Sequence, residues 1–411
     1  MRPQSWCRRL IQAGIALSML LAFRAGSLDS AGTVQQTSQE GREQVRSRQE
    51  KHQATGLRRP PQSLFGQRSH FMGFTPWLSA ATAEAVAETY ALIAQSADII
   101  THHVESVPWT EALKGEPFRP GLQGNLDLRK KNTPPGFRVV VSISPLNTGR
   151  NGLAGYYGDH DNMPLPADFE GKRFNDPKIQ TAYLNYCRRI AEFFHPDYFI
   201  IGIEANELFK NTPGAWADYL QLSQHVYAEL KKEYPDLPIS QSVTLHQLLD
   251  RKNPNLAQYQ TRIKAFIALH DFAAVSYYPF FNGLHSYDEF LQSLESVRQF
   301  TDKPIGISEC GHPAEPIVVK SWNLDFPATP EEQNDFVRAL LTQAQRDRYF
   351  FVTWFAIKDF DALWASFPDS AKDLGRLWRD TGLVDEKGNK RPAYLTWLRT
   401  LAKARGEGQS P

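Results

Sequence analysis

The sequence predicts an α/β protein in which eight parallel strands close into a single (β/α)8 TIM barrel. Three observations predict this fold. Apolar runs of strand length alternate with amphipathic stretches of helical length from His70 onward. Each run is apolar nearly throughout, as is typical of strands buried on both faces. The segment GFTPWLSA after the first strand lacks the glycine-rich turn of a doubly wound open sheet, which favours the closed barrel.

The predicted elements follow one another in regular alternation. The strands are expected at 70–74, 97–101, 138–144, 198–203, 238–243, 272–277, 304–308 and 350–354. Helices are expected near 81–95, 123–131, 176–194, 213–233, 255–269, 286–300, 330–346 and 392–404. Thr212-Pro213 opens one helix and Tyr234-Pro235 closes it, because proline suits a first helical turn and cannot continue a helix.

Two long segments lie where loops of the C-terminal rim are expected. Residues 105–122 follow the second strand and residues 145–175 follow the third, and both are rich in Gly, Pro and Asn. The loops at this rim shape the binding sites of such barrels. We therefore expect both segments to build the walls of a cleft.

The N-terminal residues have the pattern of an export signal. Basic residues precede an apolar run from Ile11 to Phe23, and small residues follow it. The run is shorter than the roughly 20 residues that span a bilayer, so no stable membrane span is expected and a retained anchor is the alternative. We predict a signal peptide over 1–26, a disordered polar linker over 27–66 and a barrel domain over 67–405. The protein is then secreted or periplasmic.

Charge and cysteine usage exclude several classes of function. Among 411 residues, 46 basic and 45 acidic side chains leave a net charge of +1, so nothing favours a nucleic-acid partner. The chain contains no CxxC or HExxH spacing, and we expect no metal and no cofactor. Aromatic residues make up 12%, a stock that also suits flat platforms for sugar rings. A monomer is expected.

Two glutamates are the candidate catalytic residues. Glu207 in IIGIEANELF and Glu309 in KPIGISECGHP each follow an apolar run, at the ends of the predicted fourth and seventh strands. A barrel brings both strand ends to one rim, where one carboxyl can act as an acid while the other attacks a sugar carbon. The alternative is that both are surface residues in helix caps or ion pairs. Glu204, three residues before Glu207, is the second candidate for the acid.

The order of these motifs resembles a clan of retaining glycoside hydrolases built on (β/α)8 barrels, clan GH-A. The resemblance covers roughly residues 70–400 and rests on Asn206-Glu207, Ser276-Tyr277-Tyr278-Pro279, Ile307-Ser308-Glu309 and Trp354. The form Glu-x-Gly-x-Pro from Glu309 to Pro313 is similar to that of β-1,4-galactanases and β-1,3-glucanases.

The resemblance implies a retaining hydrolase that cleaves a β-linked oligo- or polysaccharide through a covalent intermediate, without a cofactor. Glu207 would be the general acid/base and Glu309 the nucleophile. Tyr278 would hold Glu309 by a hydrogen bond, with Tyr277 packed outward. Two further rivals remain: a transglycosylase that uses the same site, and a carbohydrate-binding barrel without catalysis.

The remaining candidates would bind the substrate. The resemblance implies that Asn206 bonds a sugar hydroxyl, and a strand-ending structural Asn is the alternative. Trp354 would be a stacking platform, or else a core residue, and Trp77 at the mouth of the first strand has the same two readings. Of the adjacent His102 and His103, we expect His103 to face the cleft.

Overall fold

The computed structural model describes residues 66–406. The predicted signal peptide, and the predicted linker up to residue 65, lie outside the described residues. No helix within the described residues is long and apolar enough to cross a membrane.

The centre of the molecule is a closed barrel of parallel strands, as predicted. Its strands are β1 Phe71–Phe74, β2 Ile99–Val104, β3 Arg138–Ile143, β4 Tyr198–Ile200, β5 Ile239–Ser240 with Ser242–Thr244, β6 Ala273–Tyr277, β7 Ile305–Cys310 and β8 Phe351–Trp354. Each strand pairs with its neighbours in chain order, and β8 pairs with β1. The two halves of β5 are joined through Gln241, so the ring is complete.

Helices surround this barrel. They are α1 Ala83–Ser96, α2 Trp109–Lys114, α3 Pro120–Asn132, α4 Pro177–Phe194, α5 Asn206–Asn211, α6 Trp216–Glu233, α7 Leu245–Leu248, α8 Leu256–Ile267, α9 Tyr287–Glu295, α10 Pro330–Arg346, α11 Asp361–Ala365, α12 Asp369–Arg379 and α13 Pro392–Leu401. Local sequence fixes several starts: Thr329 and Glu332 form a reciprocal capping box at α10, and Ser286 and Glu289 form another at α9.

Two small strand pairs lie outside the barrel. Ile317–Val319 and Leu324–Phe326 form an antiparallel hairpin in the connection after β7. Gln67–Arg68 pairs with Ala404–Arg405 in parallel. The second pair lies just before β1 and next to Asp98, which precedes β2, so both ends of the described chain meet at the N-terminal face of the barrel.

The barrel interior changes from apolar to polar toward the C-terminal rim. Near its base, the rings of Tyr198 and Phe351 pack 4.9 Å apart. Higher up, Thr101 of β2 and Thr353 of β8 share a hydrogen bond of 2.8 Å. Ionisable side chains follow at the rim. Because the interior below is packed with apolar rings, these groups have access to solvent only through the rim.

Candidate active site

The C-terminal ends of the strands open into one large cleft of about 1750 Å³. The carboxyl side chains that line it include those of Glu204, Glu207 and Glu309. His103, Tyr278 and Trp77 line it as well. Five of the predicted site residues therefore lie at one rim of the barrel.

Glu309 reaches the cleft because β7 contains an irregularity. The register against β6 shifts between Val275 and Ser276, so that Val275 faces Ile307 while Ser276 faces Glu309. Such a bulge re-aims side chains relative to strict alternation. The Glu309 side chain is 18% exposed.

Two donors hold the Glu309 carboxylate. Tyr278 Oη donates to Oε1 at 2.6 Å, and His103 Nδ1 lies 3.3 Å from Oε2. Tyr277, the preceding residue, points outward and bonds Ser293 at 2.7 Å. Alternation thus separates the two tyrosines in the way the sequence indicated. One carboxylate with two aimed donors is fixed in orientation.

His103 bridges two carboxylates. Its Nε2 lies 3.2 Å from Glu105, while Nδ1 faces Glu309. Burial acts to lower the pKa of His103, but hydrogen bonds and charge from Glu105 and Glu309 outweigh it and raise the pKa to about 9. The neighbouring His102 is fully buried on the other side of the strand and contacts Thr133 at 2.8 Å. The expected face for His103 is the one observed.

The His103 bridge makes a testable contribution to stability. Because its folded pKa of about 9 exceeds the ordinary histidine value of 6.5, the contribution is complete below pH 6.5 and is lost as pH rises through 9. We expect His103→Gln to lower the unfolding temperature at pH 6, and this difference from wild type to shrink by about pH 10. Thermal unfolding at both pH values measures this. A difference that stays constant would contradict the charged bridge.

Glu204 lies four residues after the end of β4, in an unusual backbone conformation. Its φ is 51°, in the left-handed region, and its amide donates to Ser242 Oγ at 2.8 Å. Oε1 accepts a bond from Ser276 Oγ at 2.7 Å. Ser276 is the residue paired with Glu309 in the sheet register, so Glu204 shares the centre of the barrel mouth with the Glu309 side chain.

Burial and neighbouring charges shift the pKa of the Glu204 carboxyl. Burial raises its pKa, the Arg150 guanidinium opposes this, and the charge of Glu309 raises the pKa further. The net shift of the Glu204 pKa is upward. Arg150 Nη2 lies 3.4 Å from Glu204 Oε2 and 2.8 Å from Glu105 Oε1.

Sequence reasoning did not identify Arg150 or Glu105. Arg150 comes from the long loop after β3, and its side chain is only 7% exposed. A buried carboxylate requires a cationic partner, so Glu204 in the barrel predicts a basic residue nearby. Nothing in the sequence indicated that a loop residue would supply it.

Glu207 occupies a different environment. It lies in the first turn of α5, where its Oε1 accepts a bond from Thr244 Oγ1 at 2.8 Å and lies 3.6 Å from His246 Nε2. Burial acts to raise its pKa, but His246, Lys210 and Thr244 outweigh it, and the net shift is downward. The helix begins at Asn206, so Glu207 does not continue the strand.

Asn206 does not reach the cleft, and its expected sugar contact is wrong. Its side chain is fully buried. Nδ2 donates to Tyr259 Oη at 2.8 Å and to Thr244 Oγ1 at 3.0 Å, and Oδ1 accepts from the Thr244 amide at 2.8 Å. These bonds fasten α5 to β5, so the structural reading of Asn206 is the correct one.

Trp354 is also a core residue, so its role as a platform is wrong. Phe351 and Thr353 point into the barrel, and alternation turns Trp354 outward against Phe336 of α10. Its indole donates to the Thr381 carbonyl at 2.8 Å. The next residue, Phe355, lines the cleft together with Trp77, and their rings lie 5.1 Å apart.

Comparisons with known proteins agree with this architecture. No protein-family model and no curated protein sequence matches the chain. Solved structures do. A variant of the GH5_18 glycoside hydrolase from Bifidobacterium longum subsp. longum, in complex with Manβ1-4GlcNAc, is 14% identical with a TM-score of 0.58, over 81% of this chain and 78% of that chain.

Two further structures extend the similarity. The exo-β-1,4-mannosidase from Opitutaceae bacterium strain TAV5 is 16% identical with a TM-score of 0.55, over 84% of this chain and 62% of that chain. Xylanase 10B from Thermotoga maritima is 12% identical with a TM-score of 0.52, over 82% of this chain and 95% of that chain. The chain therefore has the barrel fold of these enzymes, and its chemistry has to be argued from its own residues.

Proposed function

We propose that the protein is a retaining glycoside hydrolase that cleaves a β-linked oligo- or polysaccharide through a covalent glycosyl-enzyme intermediate. One observation carries the proposal: Glu309, held by two donors, and Glu204, whose pKa is raised, share the centre of one cleft. Retaining glycosidases need one attacking carboxylate and one carboxylic acid beside the same sugar carbon.

Glu309 is the proposed nucleophile. Tyr278 and His103 direct its carboxylate, and both donors stabilise the negative charge of the attacking group. The aromatic pair Trp77 and Phe355 lies on the β1 and β8 side of the rim, where a sugar ring can pack against it.

Glu204, rather than Glu207, is the proposed general acid/base. An acid must keep its proton near neutral pH, and the pKa shifts favour this at Glu204 and oppose it at Glu207. The charge of Glu309 acts on Glu204, and it is not among the main influences on Glu207. Glu207, the residue implied by the resemblance, becomes the alternative.

The reaction has two steps, and each step forms one bond to the anomeric carbon and breaks another. In the first, a Glu309 oxygen bonds to the anomeric carbon, the glycosidic C–O bond breaks, and Glu204 gives its proton to the departing oxygen. In the second, Glu204 takes a proton from water, the water oxygen bonds to the anomeric carbon, and the bond to Glu309 breaks. Two inversions give net retention.

The cleft favours a carbohydrate on both sides of the broken bond. Beyond His246, the ring of Phe281 lies 4.8 Å from that of His246 and 6.2 Å from that of Trp322, which follows the first strand of the hairpin. Phe281 and Trp322 are partly exposed in the cleft wall. Flat aromatic faces pack against the C–H faces of sugar rings. The neighbouring structures include an exo-β-1,4-mannosidase and a complex with Manβ1-4GlcNAc, which supports a β-linked substrate.

A screen of β-linked manno-, gluco-, galacto- and xylo-oligosaccharides tests the proposal. New reducing ends should form, and proton NMR should detect the β-anomer first. Absence of hydrolysis across the screen would reject the function, and initial release of the α-anomer would reject retention. Products longer than the substrate would indicate transfer to a sugar acceptor.

Trp322 provides a test of the wall. We expect Trp322→Ala to lower kcat/KM for a trisaccharide about tenfold, equivalent to about 1.4 kcal/mol, because a stacking surface is lost. Phe193→Ala is the matched control, since Phe193 is a partly buried aromatic residue of α4 outside the cleft lining. Equal effects of the two substitutions would contradict a role for Trp322 in binding.

Cellular location is a separate proposal. The N-terminal pattern of basic residues followed by an apolar run supports export to the periplasm or the medium, and the barrel is proposed to act there as a monomer. Cell fractionation of the full chain tests the first statement, and light scattering tests the second.

A further inference from the structure

We infer that Glu105 and Arg150 are positioning residues which join the two proposed catalytic carboxyls through one continuous chain of side-chain contacts. The chain runs Glu309–His103–Glu105–Arg150–Glu204. This inference rests on the proposed function and deepens it. In this role, the five contacting side chains keep the total charge of the site constant while a proton and a sugar are transferred.

Each link is a direct contact. Glu309 Oε2 lies 3.3 Å from His103 Nδ1, and His103 Nε2 lies 3.2 Å from Glu105 Oε1. The same Glu105 oxygen lies 2.8 Å from Arg150 Nη2, and that nitrogen lies 3.4 Å from Glu204 Oε2. All five side chains are between 7% and 20% exposed, so solvent screens these charges weakly.

The charges balance only when Glu204 keeps its proton. Glu309 and Glu105 supply two negative charges, and His103 and Arg150 supply two positive charges. An ionised Glu204 would leave a net charge of −1 in a largely buried group, which is costly. A neutral Glu204 therefore balances the charge of this group, and the upward direction of its pKa shift agrees with that balance.

The same balance holds after the first chemical step. Once Glu309 is esterified it is neutral, and Glu204 has given its proton to the leaving group and is negative. His103, Glu105 and Arg150 keep their charges, so the sum is again zero. The negative charge has moved from one end of the chain to the other, and Arg150 is in place to stabilise it as Glu204 becomes the base.

Other titratable groups face these side chains. Asp161, whose pKa burial raises to about 7, is influenced by the charge of Glu105, and four further groups face Glu204. The charged or titratable neighbours are Arg150 from the loop after β3, Glu309 from β7, Glu207 from α5 and Tyr278 at the end of β6. Ser276 of β6 donates a hydrogen bond. Of these, Arg150 alone is a cation, so its pairing with Glu105 controls how much positive charge Glu204 experiences.

Two substitutions should move the alkaline limb of the pH–rate profile in opposite directions. Glu105→Gln releases Arg150 from its partner, which favours ionised Glu204 and shifts the limb by about one unit to lower pH. Arg150→Met removes the cation and shifts the limb to higher pH. The profiles are measured as kcat/KM with the phenyl β-glycoside of the sugar found in the screen.

A second substrate separates this role from a structural one. A 2,4-dinitrophenyl β-glycoside has a leaving group that departs without protonation. At pH 7, Glu105→Gln should lower kcat/KM about tenfold for the phenyl glycoside and less than threefold for the dinitrophenyl glycoside. Arg150→Lys, which keeps the positive charge, should return the limb to within about half a unit of wild type.

The outcomes are distinct. The inference would be overturned if the alkaline limbs of Glu105→Gln and Arg150→Met stay in place or shift in the same direction. Equal losses of kcat/KM for the two glycosides in Glu105→Gln would also overturn it. If Glu105→Gln fails to fold by circular dichroism, the direction of the Arg150→Met shift against Arg150→Lys decides. If the wild-type protein hydrolyses neither glycoside, the proposed function itself is rejected. If the wild-type protein is active but the substitutions do not shift the alkaline limb, only the inference about Glu105 and Arg150 is rejected.

Discussion

Replacing Glu309 with alanine is expected to lower kcat roughly 10⁴-fold or more, because no carboxylate remains to attack the anomeric carbon. Neither Ser276 nor Tyr278 substitutes for it, since their hydroxyls are already directed at Glu204 and Glu309 as donors. The measurement is steady-state hydrolysis of the phenyl β-glycoside by the purified variant.

Azide provides the control for this variant. It is a small anion that can enter the space left by the carboxylate and attack the same face of the sugar. We expect added azide to restore part of the turnover and to give an α-glycosyl azide, since only one inversion then occurs. Near wild-type hydrolysis by Glu309→Ala, or a β-glycosyl azide from it, would reject Glu309 as the nucleophile.

The second large effect is expected at Glu204. Glu204→Gln should lower kcat/KM for the phenyl glycoside about 10³-fold, within the range typical of a lost general acid. The glycosylation step with the dinitrophenyl glycoside should be nearly unaffected. Azide should accelerate release of the sugar as a β-glycosyl azide, because the intact Glu309 first inverts the centre.

Glu207→Gln is the matched comparison for this prediction. It makes the same chemical change three residues away, in the same cleft, in a carboxylate already bonded to Thr244 and near His246. We expect a loss of about tenfold or less, equal for the two aryl glycosides. A loss of about 10³-fold in Glu207→Gln, confined to the phenyl glycoside, would return the acid role to Glu207.

The barrel was predictable because its strands are buried on both faces, so each reads as a short apolar run whatever its register. Period-2 alternation also predicted that Tyr277 and Tyr278 face opposite sides, and the resemblance indicated that Tyr278 is the one that meets Glu309. The same alternation, applied from Phe351, predicts an outward Trp354. The expected role of Trp354 as a platform was based on its residue type and did not consider the direction of its side chain.

The site was less predictable because it depends on backbone departures from regular geometry. The left-handed turn at Glu204 and the helix that begins at Asn206 give these two glutamates different surroundings, and neither feature has a distinctive sequence signal. Arg150 comes from a loop whose path depends on tertiary packing. Its partners lie 45 and 54 positions away in the chain, so no local pattern could have connected them.

The pairing of Gln67–Arg68 with Ala404–Arg405 has a practical consequence for handling the protein. The described chain starts and stops at the N-terminal face of the barrel. A long polymer of the proposed kind would bind at the opposite face, across the C-terminal rim. A bead, affinity tag or fused module joined at either point would extend away from the cleft. Immobilisation at this face should therefore leave the cleft accessible to a long substrate of the proposed kind.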